Sequence, residues 1–140
     1  MVDQRLGYVI KRTQQVLRSR MDEKLDTVGV TTPQYAALSI LEEDQGLSNA
    51  ELARRCFLTP QTMHKIIGGL EAKGLVERKS DPSHGRKINT LLTSEGKDLL
   101  KKAHKIVQNI ECKMTSDLTE QEIEQTRKNL ARCVELLNDS

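Results

Sequence analysis

LSNAELARRCFLTPQTMHKIIGGLEAKGLVERKSDPSHGRKINTLL, residues 47–92, is the stretch on which the fold turns. Ser48-Asn49-Ala50-Glu51 is a capping box: the Ser48 hydroxyl can accept the Glu51 N–H, and the Glu51 carboxylate can accept the Ser48 N–H. Leu47 and Leu52 stand where a hydrophobic staple would be, so a short helix runs to about Cys56. A second start follows at Thr59-Pro60, with Leu58 and Met63 as staple and Met63, Ile66, Ile67 and Leu70 on the buried side. Gly74 ends that helix, and Leu75 can pack back over its last turn in a Schellman-type cap. Val76 to Ser80 and Lys87 to Leu92 are short enough to be strands, and Asp81 to Arg86 between them holds Pro and Gly and must turn. Two short helices followed by a basic hairpin are the outline of a winged helix-turn-helix, which lays one helix in the DNA major groove and a β-wing beside it.

Outward from this core the chain reads as helix. Leu6, Ile10, Leu17, Met21 and Leu25 give one apolar face to a helix from about Gln4 to Thr27, ended by Gly29. Thr32-Pro33 reads as an N-cap with proline at the first helical position, and Tyr35, Ala37, Leu38 and Leu41 form the next buried stripe before Gly46. Thr93 caps a long helix to about Thr115, with Leu99, Leu100, Ala103, Ile106, Val107, Ile110 and Met114 on its apolar side. Thr119 to Glu122 is a second capping box, with Leu118 and Ile123 as staple; Ile123, Leu130 and Leu137 then recur every seven residues, with Val134 beside them. The expected class is mainly α with a minor β part: one domain over 1–140, a winged helix-turn-helix core over 31–92, and flanking helices 1–30 and 93–140. A winged helix needs only about 60 to 90 residues for its own core, so the stripes of the flanking helices need a partner. The simplest is a second copy, and a two-fold dimer would set two wings and two reading helices side by side on DNA.

Composition narrows the function. One Phe, two Tyr and no Trp leave an aliphatic core and argue against a base-stacking surface for RNA or single strands. Net charge is only +2, but it is unevenly spread: residues 1–53 carry −2, residues 54–105 carry +7 and residues 106–140 carry −3. The excess coincides with the second helix and the hairpin, where phosphates would lie. No apolar run reaches membrane-span length and no signal peptide opens the chain, so a cytoplasmic protein is expected. Cys56, Cys112 and Cys133 have no C-x-x-C spacing and no nearby His pair, so no metal is expected; helix packing explains them better than a redox role. No Gly-rich phosphate loop, nucleophile elbow or ligand cluster is present, and His64, His84 and His104 are scattered, so neither an enzyme nor a cofactor is expected.

On the second helix, Gln61, Thr62, His64, Lys65, Gly68 and Gly69 are left to face outward. Gln and Lys can hydrogen-bond adenine or guanine edges, and Thr can touch a thymine methyl. The hydroxyls of Ser48 and Thr59, at the two helix starts, and the first-turn N–H groups suit phosphate. Arg78, Lys79, Arg86 and Lys87 flank the turn; an Arg at the tip suits a narrow minor groove, with lysines on the backbone. Asp81 is better placed to initiate the turn and orient Arg86 than to meet DNA, and His84 reads as an exposed loop histidine. Gly68-Gly69 marks either a close approach, to DNA or a neighbouring helix, or a tolerated weak turn.

The runs Leu75-Val76-Glu77-Arg78, Asp81 to Arg86 and Leu92-Thr93-Ser94-Glu95-Gly96, with Leu52-Ala53 and Gly69 to Gly74 before them, resemble the MarR family of bacterial transcriptional regulators. The resemblance covers nearly the whole chain. It implies a single MarR-like domain over 1–140, a homodimer on a pseudo-palindromic double-stranded operator, and release by a small phenolic or other aromatic compound, such as an aromatic acid, or by thiol oxidation. Such an effector would bind between the dimer helices and the reading module, nearest Tyr8, Tyr35, Arg12 and Arg18; the alternative for Tyr35 is a core position, and for the arginines solvent. Three departures stand out. His84 replaces an acidic residue frequent in the family's wing, His64-Lys65 replaces a frequent Thr-Arg, and no cysteine precedes Cys56, so the peroxide-sensing arrangement of the first helix does not carry over. The rival readings are a winged-helix module that binds protein and a thiol-based redox regulator. Repressor and activator need the same DNA contacts.

Overall fold

The computed structural model describes residues 1–80, 83 and 88–139. A 3-10 turn at Val2–Gln4 leads into α1 (Leu6–Leu25), and a second at Asp26–Val28 closes it where Gly29 takes a left-handed φ of 80°. α2 spans Thr32–Glu43, α3 Asn49–Arg55 and α4 Pro60–Ala72. β1 (Val76–Ser80) and β2 (Ile88–Leu92) form an antiparallel pair from Val76↔Leu92 to Ser80↔Ile88. α5 (Ser94–Met114) and α6 (Glu120–Asn138) complete the chain.

The local signals explain most boundaries. Both capping boxes form: Glu51 N–H donates to Ser48 Oγ at 3.3 Å and Ser48 N–H to Glu51 Oε1 at 3.0 Å. Glu122 N–H donates to Thr119 Oγ1 at 3.1 Å and Thr119 N–H to Glu122 Oε1 at 3.0 Å. α4 ends in a Schellman motif, with Leu75 N–H on Leu70 O at 3.0 Å and Gly74 N–H on Glu71 O at 2.9 Å. That geometry puts Gly74 at φ 74°, where a Cβ would be strained. The start of α2 differs from expectation by one residue. Thr31 is the N-cap, because its box with Gln34 satisfies two backbone N–H groups, while the Thr32 hydroxyl donates to the Asp22 carboxylate of α1.

The chain divides into two compact units, Met1–Val107 and Gln108–Ser140. The core of the first is aliphatic, with Leu25, Leu38, Leu41, Leu52, Met63, Ile67, Leu70 and Leu100 fully buried. No aromatic ring is among them: Tyr35 is half-buried and Tyr8 exposed, and Phe57 is 93% exposed. The chain between α2 and α3 adds a third segment to the hairpin, beside β2, through an isolated bridge Leu47↔Thr90 with Thr90 N–H on Leu47 O at 3.0 Å. α5 is seated by Thr93, whose hydroxyl donates to Gly74 O at 2.6 Å and accepts Gly96 N–H at 3.0 Å. Gly96 itself lies against the Leu75 carbonyl.

Many of the apolar residues that this packing does not cover lie on α1 and α6. On α1, burial fades from Leu25, which is buried, through half-buried Met21 and Leu17 to exposed Ile10 and Leu6. α6, in the second unit, has no buried residue, and Ile123, Leu130 and Val134 are 37, 40 and 58% exposed.

Candidate nucleic-acid interface

α3 and α4 are joined through Cys56 to Thr59. Leu58 N–H donates to Ala53 O at 2.9 Å and Phe57 N–H to Arg54 O at 3.2 Å, so α3 also ends in a Schellman motif. Here Phe57, not glycine, holds the left-handed position, at φ 59°. Such a conformation costs roughly 1–2 kcal/mol for a residue with a Cβ, and it turns the Phe57 ring into solvent. Asn49 Nδ2 donates to Pro60 O at 3.1 Å and ties the two helix starts together.

The N-terminal half of α4 presents a polar row. Met63, Ile67 and Leu70 are buried, which leaves Gln61, Thr62, His64 and Lys65 exposed on the opposite side. The Thr59 hydroxyl serves as the cap, accepting Thr62 N–H at 3.1 Å, and it also bonds the Thr62 hydroxyl at 3.0 Å. Pro60 has no N–H and Met63 N–H goes to Thr59 O, so Gln61 N–H is the first-turn donor left for an anion. Ser48 is likewise occupied by its capping box and is half-buried.

Further along α4 the two glycines have separate causes. A Cβ on Gly68 would lie 4.0 Å from an Arg78 terminal nitrogen, and one on Gly69 would come within 3.2 Å of Gln34 Nε2. Both positions are half-buried, not outward, because β1 lays Arg78 along α4 and α2 lays Gln34 across it. Arg78 Nε sits 3.7 Å from Glu71 Oε1, is buried, and has no hydrogen-bond partner among the described residues. Its guanidinium thus extends the polar row of α4 and also braces β1 on that helix. Lys79 is exposed and pairs with Glu77 at 3.3 Å, a surface contact worth little. Asp81, His84, Arg86 and Lys87 lie outside the described residues.

The basic segment is less concentrated than its net charge suggests. Of its lysines, Lys97, Lys101, Lys102 and Lys105 are exposed on α5, whose first turn lies against the C-terminal end of α4. The polar row of α4 is at its other end.

The residues expected near an effector are dispersed in their engagements. Tyr8 and Arg12 are exposed on α1, and Arg18 Nε pairs with Asp22 at 3.1 Å. Tyr35 is engaged: its hydroxyl hydrogen-bonds His104 Nδ1 at 2.7 Å, and His104 Nε2 meets the Glu42 carboxylate at 2.9 Å. The rings of Tyr35 and His104 stand edge-on, 5.5 Å apart. This bridge holds α2 to α5. Sequence periodicity placed Tyr35 but carried no sign of its partner, 69 residues away. Burial pushes the Cys56 thiol above its ordinary range, against a smaller opposing effect of Arg55, so it is protonated at neutral pH. Cys112 is exposed and Cys133 half-buried. Among the described residues no group of His, Cys, Asp and Glu could hold a metal ion, and no helix is long and apolar enough to cross a membrane.

A family model described as the MarR family matches residues 28–87. Over 117 residues the chain is 37% identical to the HTH-type transcriptional repressor Rv2887 of Mycobacterium tuberculosis, covering 84% of each chain. The structure of Rv2887 in complex with salicylic acid superposes with a TM-score of 0.75 at 34% identity, over 94% of this chain and 97% of that one. The same protein in complex with DNA gives 0.76 at 31% identity, over 94 and 98%. The transcriptional repressor CouR bound to a 23-mer DNA duplex gives 0.87 at 26% identity, over 94% of each.

Proposed function

Because this chain belongs to the MarR family, we propose that it is a sequence-specific, double-stranded-DNA-binding transcriptional repressor, released by a small aromatic acid. It acts by binding, not by catalysis, as a cytoplasmic homodimer on a pseudo-palindromic operator. The observation that carries this reading is the exposed row Gln61, Thr62, His64 and Lys65 on an α4 whose opposite side buries Met63, Ile67 and Leu70 and half-buries Ile66. In this reading α4 enters the major groove with those four side chains at base edges and phosphates, and the Gln61 N–H at the helix start meets a phosphate. Arg86 at the wing tip enters the minor groove, Lys79 and Lys87 meet the backbone beside it, and Asp81 orients Arg86. Ser48 and Thr59 set the helix starts that face the phosphates. The exposed apolar residues of α1 and α6 meet those of a second copy, which spaces the two reading helices for successive major grooves.

Rv2887 binds salicylic acid, and the corresponding effector here is a compound of that class. Tyr8, Arg12 and Arg18 on α1 are the groups open to it; Tyr35 contributes its ring, since its hydroxyl is held by His104. Thiol control is the weaker reading, because the Cys56 thiol is half-buried and protonated. The test is selection of duplexes from a random pool by the purified protein, followed by titration of the complex with salicylate. A two-fold symmetric motif, a steep fall of affinity with salt and weakening by salicylate are the expected results. Recovery of no sequence motif refutes the DNA reading; a motif unaffected by salicylate refutes the effector.

A further inference from the structure

Gln34, in the first turn of α2, has a side chain with three contacts. Its Oε1 accepts Thr31 N–H at 3.0 Å and the Lys73 ammonium at 3.3 Å. Its Nε2 would lie 3.2 Å from a Cβ on Gly69 of α4, a few tenths of an ångström closer than an ordinary contact. Lys73, the C-cap of α4, also donates to Gly29 O at 2.5 Å, at the close of the turn that ends α1. The Lys73 ammonium therefore bridges the turn that closes α1 and the first turn of α2. From α1 the contacts continue through Asp22, which accepts from the Thr32 hydroxyl and pairs with Arg18. Two polar links thus meet on the first turn of α2, Thr32 to Asp22 of α1 and Gln34 to Lys73 at the end of α4, joined to each other by the backbone of residues 31–34 and lying within one compact unit. Glycine inside a helix is less favourable than alanine; at Gly69 it leaves room for the Gln34 amide.

We propose that Gln34 and Lys73 are positioning residues that carry the setting of α1 to the reading helix α4. The proposal rests on the DNA-binding, effector-released function above. An effector that engages α1 changes DNA affinity only if it favours one of two arrangements and a stiff element links α1 to α4. The Gly29–Gln34–Lys73–Gly69 joint is such an element.

The test is a mutational cycle on the duplex recovered by the wild-type protein, measured with and without salicylate. Gly69→Ala forces the Gln34 amide aside; it should weaken binding about five-fold in the wild-type background and less than about two-fold alongside Gln34→Ala. Gln34→Glu keeps both acceptor functions and should hold affinity within about two-fold of wild type. Lys73→Met should shrink the salicylate response to less than about a third, a readout that loss of one surface charge does not move. Additive effects of Gly69→Ala and Gln34→Ala, or an intact salicylate response in Lys73→Met, overturn the proposal. Should the wild-type complex ignore salicylate, the effector reading falls and the Gly69–Gln34 cycle alone decides the joint. Should the wild type recover no duplex, the parent reading falls, and amide exchange of the free protein decides. Lys73→Met should then speed exchange across residues 28–34 and 69–75 together, and a change confined to the immediate neighbours of Lys73 overturns it.

Discussion

Gly96→Ala separates helix propensity from packing, because the two predict opposite signs. In a helix interior the change by itself stabilises by roughly 0.8–1 kcal/mol. Here the added Cβ would lie 2.1 Å from the Leu75 carbonyl oxygen and 3.1 Å from its carbon. An ordinary carbon–oxygen contact is about 3.3 Å or more, so α5 must retreat by roughly 1 Å at its first turn. The retreat pulls on Thr93, whose N–H donates to Leu75 O at 3.1 Å and whose hydroxyl donates to Gly74 O at 2.6 Å. Overpacking costs about 1–3 kcal/mol and each strained hydrogen bond about 1 kcal/mol, so a net loss of about 3 kcal/mol is expected. For a chain of this size that lowers Tm by roughly 10 °C. Thermal melts followed by circular dichroism, at one protein concentration because assembly shifts Tm, measure it. Gly7→Ala in α1, where an added Cβ meets nothing within 4 Å, is the control and should hold or raise Tm. A Gly96→Ala protein melting within about 2 °C of wild type would refute the claimed contact.

Further expectations concern DNA, assembly, thiols and pH. Lys65→Ala should weaken binding to all sequences alike and reduce the slope of log affinity against log salt by about 1 if Lys65 meets a phosphate; a loss confined to one base position would instead make it a base contact. Leu130→Asp puts a carboxylate into the apolar side of α6 and should convert the dimer to monomer by sedimentation; wild-type protein sedimenting as a monomer at micromolar concentration rules out the dimer. Iodoacetamide at neutral pH should label exposed Cys112 well before Cys56, as read by peptide mass spectrometry; first labelling at Cys56 would revive thiol control. The hydrogen bond from Thr32 holds the Asp22 carboxyl below its usual range. A depressed carboxylate stabilises the fold above its unfolded pKa of about 4 and loses that contribution as pH falls through the folded value. The stability gap between wild type and Thr32→Val should therefore be full near neutrality and shrink in acid; a gap constant down to about pH 2 contradicts this linkage.

What the sequence determined by itself was whatever depends on neighbours three to five residues apart. The boxes at Ser48 and Thr119, the Schellman stop at Gly74 and the burial of Met63, Ile67 and Leu70 on α4 follow the reading, because their determinants lie three to five residues apart. The outward row Gln61, Thr62, His64 and Lys65 was legible for the same reason: it is the complement of the buried stripe. The cap of α2 marks the limit. Thr31 and Thr32 are equal candidates locally, and Asp22, ten residues away, takes the Thr32 hydroxyl. The remaining features needed the tertiary structure, because each is set by which distant segments meet. Gly68 and Gly69 could mean several things until Arg78 and Gln34 were seen against them, and Gly96 until the Leu75 carbonyl was. Tyr35 passed for an effector contact or a core residue until His104 and Glu42 joined it. A +7 segment passed for one basic face until four of its lysines fell on α5. Periodicity says which side of a helix is buried, but only chain topology says what that side is buried against.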